Sequence, residues 1–140
     1  MARRTQVARS DDERSEARER ALSLLYEAEA KSLSAAEVLA ALPIPADALA
    51  DLLVRGVDAG RVRIDELIGR HAKGWTMARM AQVDRTVLRI ATFELLERPE
   101  VPVAVVLDEA VELAKRFSTD DSGRFVNGVL AAISRAVRPS

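Results

Sequence analysis

Apolar side chains recur at helical spacing along most of the chain. Ala17, Ala21, Leu24, Leu25 and Ala28 fall three or four residues apart and draw one stripe, which predicts a first helix over 11–31. Ahead of that stripe, Ser10-Asp11-Asp12-Glu13 has the form of a capping box, in which a serine hydroxyl and a glutamate carboxylate satisfy the free N–H groups of a starting helix. Ser34-Ala35-Ala36-Glu37 repeats the form before Val38, Leu39 and Leu42, so a short second helix should follow and end by Pro43. Pro43-Ile44-Pro45 cannot lie inside a helix, because proline lacks the amide donor and clashes with the preceding turn.

The stripe resumes with Leu49, Leu52, Leu53 and Val57 and, beyond Gly60, with Val62, Ile64, Leu67 and Ile68, predicting one long helix or two consecutive ones over 46–70. The segment 71–76 breaks the periodicity and is read as the junction between two halves. Val83, Val87, Leu88, Ala91 and Leu95 mark a helix stopped near Arg98-Pro99. The next begins near Pro102, whose missing donor suits a first turn, and carries Val103, Val106, Leu107, Ala110, Val111, Ala114 and Phe117. After a turn over 118–123, Phe125, Val126, Val129, Leu130, Ile133 and Val137 define the last helix. No alternating strand pair is legible. The expectation is an all-α fold of six or seven helices in two packed helical subdomains, with a flexible basic arm over 1–10 and a helical domain over 11–138, divided into halves 11–74 and 75–138.

Composition narrows what such a bundle does. A chain of 140 residues with 49% hydrophobic and 31% charged residues suits a packed domain rather than a disordered one. Without cysteine there is no disulfide, thiolate metal site or thiol nucleophile. No run approaches the roughly 20 apolar residues that span a bilayer, and the charged N-terminus lacks a signal-peptide core, so a cytoplasmic protein without membrane contact is expected. Net charge is −1, which does not announce a polyanion ligand, yet Arg3, Arg4 and Arg9 stand in the first ten residues with no acid. Arginine supplies 18 of the 21 basic residues, a choice that suits phosphate and base recognition and also follows from a G- and C-rich genome.

Enzymatic chemistry has little to stand on. His71 is the sole histidine, and no nucleophile elbow, zincin motif, phosphate loop or dinucleotide fingerprint occurs. In its polar segment His71 reads as a surface or helix-ending residue. Asp108 and Glu112 lie one turn apart and could contribute to a magnesium site, but Arg116 follows Glu112 at i, i+4, and a solvated ion-pair face is the better account. Neither a metal nor a cofactor is expected. Trp75, the single tryptophan, is read as a plug at the junction of the halves, with a partner anchor as the alternative.

Three ordered stretches resemble the NusB family. They are Ala17-Arg18-Glu19-Arg20-Ala21-Leu22-Ser23-Leu24-Leu25-Tyr26-Glu27-Ala28, then Val83-Asp84-Arg85-Thr86-Val87-Leu88-Arg89-Ile90-Ala91-Thr92-Phe93-Glu94-Leu95 with the following Val101-Pro102, and Asp108-Glu109-Ala110-Val111-Glu112-Leu113-Ala114-Lys115-Arg116-Phe117 leading to Asp121-Ser122 and Phe125-Val126-Asn127-Gly128-Val129-Leu130. The resemblance implies a non-enzymatic antitermination factor. In that family the protein pairs with NusE, a small-subunit ribosomal protein; the heterodimer binds single-stranded boxA RNA of ribosomal RNA operons and joins the antitermination complex on RNA polymerase. It further implies RNA contacts at Arg14, Arg18, Ser122, Arg124 and Phe125, and a NusE-facing surface at Tyr26, Asp84 and Asp121. Unstacked bases can lie on an aromatic ring or a guanidinium plane while arginines hold the backbone. Phe125 has a second reading, as a core residue at the start of the last helix.

The chain also departs from the family pattern. Asp11, Asp12, Glu13 and Glu16 surround Arg14 and Arg18 where a denser arginine run is usual, and they oppose a polyanion. Recognition completed by the heterodimer is therefore expected. A homodimer that covers the partner-facing surface is the competing interaction. A NusB-like domain also precedes the catalytic domain of some RNA cytosine methyltransferases; with no such region following, the stand-alone factor is the expectation.

Overall fold

The computed structural model describes residues 11–139, which form seven α-helices and one 3₁₀ turn with no strand. The arm over 1–10 and the Ser10 cap lie outside the described residues. Helix α1 is Asp11–Lys31, and acids fill its first turn, where they oppose the positive end of the helix dipole. It ends on Ser32, whose φ of 55° is left-handed, with the Leu33 N–H donating back to the Ala28 carbonyl at 2.8 Å. Helix α2, Ala35–Ala40, begins on the expected capping box: the Glu37 N–H donates to Ser34 Oγ at 3.1 Å and the Ser34 N–H to Glu37 Oε1 at 2.8 Å. Those bonds hold the Glu37 carboxyl below its ordinary value of 4.5.

Of the two readings for 46–70, the structure takes the second. Helix α3, Ala48–Ala59, capped by Asp47, and α4, Arg61–His71, meet at Gly60. His71 closes α4, its Nδ1 lying 2.8 Å from the Leu67 carbonyl. The 3₁₀ turn Met77–Arg79, which the sequence pattern does not announce, leads into α5, Gln82–Glu97. Helix α6, Val103–Phe117, starts directly after Pro102. The expected turn over 118–123 is shorter than the pattern suggested. Thr119 caps α7, Asp120–Val137, by accepting the Ser122 N–H at 3.0 Å, and so draws Asp120 to Gly123 into the helix.

Helix α5 is the axis of the molecule and packs against α1, α3, α4, α6 and α7. Residues Thr86 to Leu95 are buried without a break, so this helix has no solvent face for most of its length. Its apolar side chains join one cluster that runs from Ala17 on α1 to Ile133 on α7. At the α3–α5 crossing Gly56 admits the Phe93 ring so closely that a Cβ would stand 2.2 Å from it.

Several charged positions on α5 pair with charges on neighbouring helices. Arg18 of α1 meets Glu94 in a fork, Nε to Oε1 at 2.7 Å and Nη2 to Oε2 at 3.0 Å, and its Nη1 reaches Glu109 at 3.2 Å. On another side Arg89 forks onto Asp65 at 2.9 and 3.1 Å, and Arg85 donates to Glu29 at 2.8 Å. The C-terminus of α5 is closed by Arg138, whose guanidinium donates to the carbonyls of Glu94, Leu95 and Arg98 at 2.7–2.9 Å.

Candidate nucleic-acid interface

Two loops and two helix starts build a groove of about 570 Å³ on one side of the molecule. The segment before α5 supplies Trp75 and Arg79; the first turn of α5 supplies Asp84; the start of α7 supplies Asp121, Ser122 and Phe125. The Trp75 and Phe125 rings stand 5.9 Å apart at 62°, an edge-to-face corner. The Arg79 guanidinium lies over the indole, 5.8 Å from its centroid. Trp75 is 47% exposed, which removes it from the plug role and leaves a large aromatic face available in the groove. Phe125 fills both of its readings, since it packs against the core with part of its ring and meets Trp75 with the rest.

At the back of the groove a hydroxyl network fixes Asp84. Ser122 Oγ donates to Asp84 Oδ2 at 3.0 Å, Thr119 Oγ1 donates to Ser122 Oγ at 3.1 Å, and Ser118 Oγ lies 2.9 Å from the same oxygen. Asp84 is only 8% exposed, and its Oδ1 has no hydrogen-bond partner. Ser122, itself 7% exposed, is engaged in this network through its Oγ.

The remaining sequence candidates are dispersed. Arg14 and Arg18 line a different hollow of about 520 Å³ between α1 and the start of α6, together with Arg98, Pro102 and Glu109. Arg14 is half-exposed and pairs with Asp11 at 2.9 Å. Arg18, expected at the RNA, is 3% exposed, and its Nε, Nη1 and Nη2 all donate to carboxylates. Burial alone would lower its pKa, but hydrogen bonds and charge from Glu94 and Glu109 outweigh that and hold it above the ordinary arginine value. Arg18 therefore positions α1 against α5 and α6. Arg124 is exposed, pairs with Asp121, and borders a third hollow with Lys115 and Asn127. Tyr26 stands apart from all three, 41% exposed, with its carbonyl accepting from Gln82 Nε2 at 3.1 Å.

Asp108 and Glu112 are exposed, and no cluster of three metal-ligating side chains occurs among the described residues. The Glu112–Arg116 pair expected from spacing is replaced: Arg116 reaches Glu19 of α1 at 3.0 Å. No described helix is long and apolar enough to cross a membrane.

The residues 15–135, which hold the groove, match the model of the NusB family. The chain belongs to the NusB family. Among NusB relatives, the Transcription antitermination protein NusB of Saccharopolyspora erythraea is 52% identical across 86% of each protein. T. maritima NusB superposes with a TM-score of 0.80 at 35% identity, covering 90% of this chain and 93% of that one. A solved complex of antitermination factors NusB and NusE with dsRNA contains a chain of TM-score 0.74 and 28% identity, matched over 91% of this chain and 99% of that one. The resemblance read from the three sequence stretches is thus the family itself.

Proposed function

We propose that this NusB-family chain is a non-enzymatic, cytoplasmic transcription antitermination factor that pairs with NusE, binds boxA RNA of ribosomal RNA operons and enters the antitermination complex on RNA polymerase. The observation that carries the reading is the extent of its likeness to the S. erythraea antitermination protein, which takes in nearly the whole helical domain. The solved complex of NusB and NusE with dsRNA supports the same two ligand classes, a NusE partner and RNA, here. The groove adds chemistry suited to single strands, with an aromatic corner for an unstacked base and exposed guanidinium groups for phosphates. On this reading Phe125, Arg124 and Arg14 touch RNA, Tyr26 and Asp121 face NusE, and Arg18 and Ser122 hold the contact surfaces in place.

Fluorescence anisotropy with labelled boxA RNA and a scrambled control, with and without NusE, tests the proposal. Tighter binding of boxA in the presence of NusE is expected, with affinity falling as salt rises because phosphate contacts release counterions. Equal affinity for both RNAs in both conditions would overturn it.

A further inference from the structure

The start of α1, from Asp11 to Glu16, carries the half-exposed Arg14 and buries no side chain. Asp11, Asp12, Glu13 and Glu16 are exposed, Ser15 is half-buried, and burial begins only at Ala17. A helix end of this kind frays unless something outside it holds it. Ser15 provides a hold: its hydroxyl donates to Glu109 Oε1 of α6 at 2.6 Å, in the short range of a hydroxyl bonded to a carboxylate. A serine inside a helix ordinarily turns to its own backbone or to water, so this bond to a second helix, 94 positions away in the chain, is a built contact.

The acceptor is itself fixed. Glu109 Oε1 also takes Arg18 Nη1 at 3.2 Å, and the same guanidinium forks onto Glu94 of α5, so linked polar side chains run from Ser15 through Glu109 and Arg18 to Glu94. Arg18 also balances the Glu109 charge, which would otherwise repel a phosphate from the hollow that Arg14 and Glu109 both line. We propose that Glu109 is a positioning residue for RNA: through Ser15 it sets the pose of the α1 start, and so presents the Arg14 guanidinium to a backbone phosphate without touching the RNA itself. A cation held in place binds with a smaller ordering penalty than one on a fraying turn. This inference rests on the RNA-binding reading above, with Arg14 as a contact, and adds a residue to which that reading gives no part.

Ser15→Ala removes the tether and leaves the fork between Arg18 and Glu94 in place, and alanine suits a helix better than serine, so circular dichroism should not change. The full-length variant, with NusE present, is titrated with labelled boxA RNA by fluorescence anisotropy over a series of salt concentrations. Affinity is expected to fall roughly tenfold, on the scale of one charge-assisted contact, and the slope of log affinity against log salt should shrink by about one as a phosphate contact is lost. Ser15→Thr, which keeps the hydroxyl, should restore both.

A double-mutant cycle separates positioning from stability. Arg14→Ala should show the same loss, and adding Ser15→Ala to it should lower affinity no further, because the hydroxyl acts only through that guanidinium. Glu109→Ala, compared by circular dichroism, should match Ser15→Ala; if it does not fold, the two serine variants decide the matter. Affinity and slope unchanged in Ser15→Ala or in Arg14→Ala would overturn the proposal and leave the RNA-binding reading standing. Losses that simply add in the doubly substituted chain would make Ser15 a contact in its own right and likewise overturn it. Equal wild-type affinity for boxA and scrambled RNA would remove both.

Discussion

Arg18 sits where an RNA contact was expected and is instead bound on its three donor nitrogens by Glu94 and Glu109, with Arg98 adding a contact to Glu94 at 3.1 Å. A buried ion group of this kind is a weak source of net stability while intact, because desolvation offsets the attraction, but removing one member strands the other in a poor dielectric. Glu94→Ala should accordingly lower unfolding free energy by about 3–5 kcal/mol in a denaturant titration, the range for breaking a buried pair. Arg18→Met combined with Glu94→Leu should recover most of that loss. A double variant as unstable as Glu94→Ala would show that the charges themselves hold α1. None of this pairing was legible in the sequence. Arg18 and Glu94 stand 76 positions apart, and an arginine on an otherwise amphipathic helix reads as solvent-facing until the partner carboxylate is placed.

At the scale of elements, the capping box of α2 is the most local feature of the fold and was fully readable, since both of its bonds span three residues. It also makes α2 sensitive to acid. The folded Glu37 carboxyl has its pKa lowered, so its stabilisation is complete above the ordinary value of 4.5 and is lost as pH falls through the depressed value. Amide hydrogen exchange at Ser34 should therefore accelerate, relative to the free-chain rate, on acidification below the ordinary value, and Glu37→Gln should flatten that response. An exchange profile independent of pH in the wild type would mean that the carboxylate does not secure the cap. The helices from α1 to α7 were legible for a related reason: the 3.6-residue period of apolar side chains is recorded within each segment. The start of α7 was not, because Thr119, Asp120 and Asp121 look like turn residues until the threonine is seen to cap the helix they begin. The groove was half legible. Phe125, Ser122, Asp84 and Asp121 came from the family pattern, whereas Trp75 and Arg79 precede α5 in an irregular segment whose path no periodicity records.

The whole molecule is organised around one helix. Because α5 is buried against both the α1–α4 segment and the α6–α7 pair, we propose that the halves over 11–74 and 75–138 share a core and unfold together. Thermal unfolding followed by far-ultraviolet circular dichroism and by indole fluorescence should give coincident transitions. Separate midpoints would show that the halves melt independently. The competing homodimer belongs to the same scale: light scattering across a concentration series distinguishes it, and a mass that stays at one chain would remove self-association.

The hydroxyl network of Ser118, Thr119 and Ser122 has a consequence for the energetics of recognition. It ties the cap of α7 to the first turn of α5, so the two walls of the groove are set when the protein folds rather than when a ligand arrives. Preorganisation of this kind shifts the entropy of ordering onto the flexible strand and spares the protein side. Few contacts then suffice for a useful affinity, and loosening the Thr119 cap should be felt as faster dissociation of the ligand.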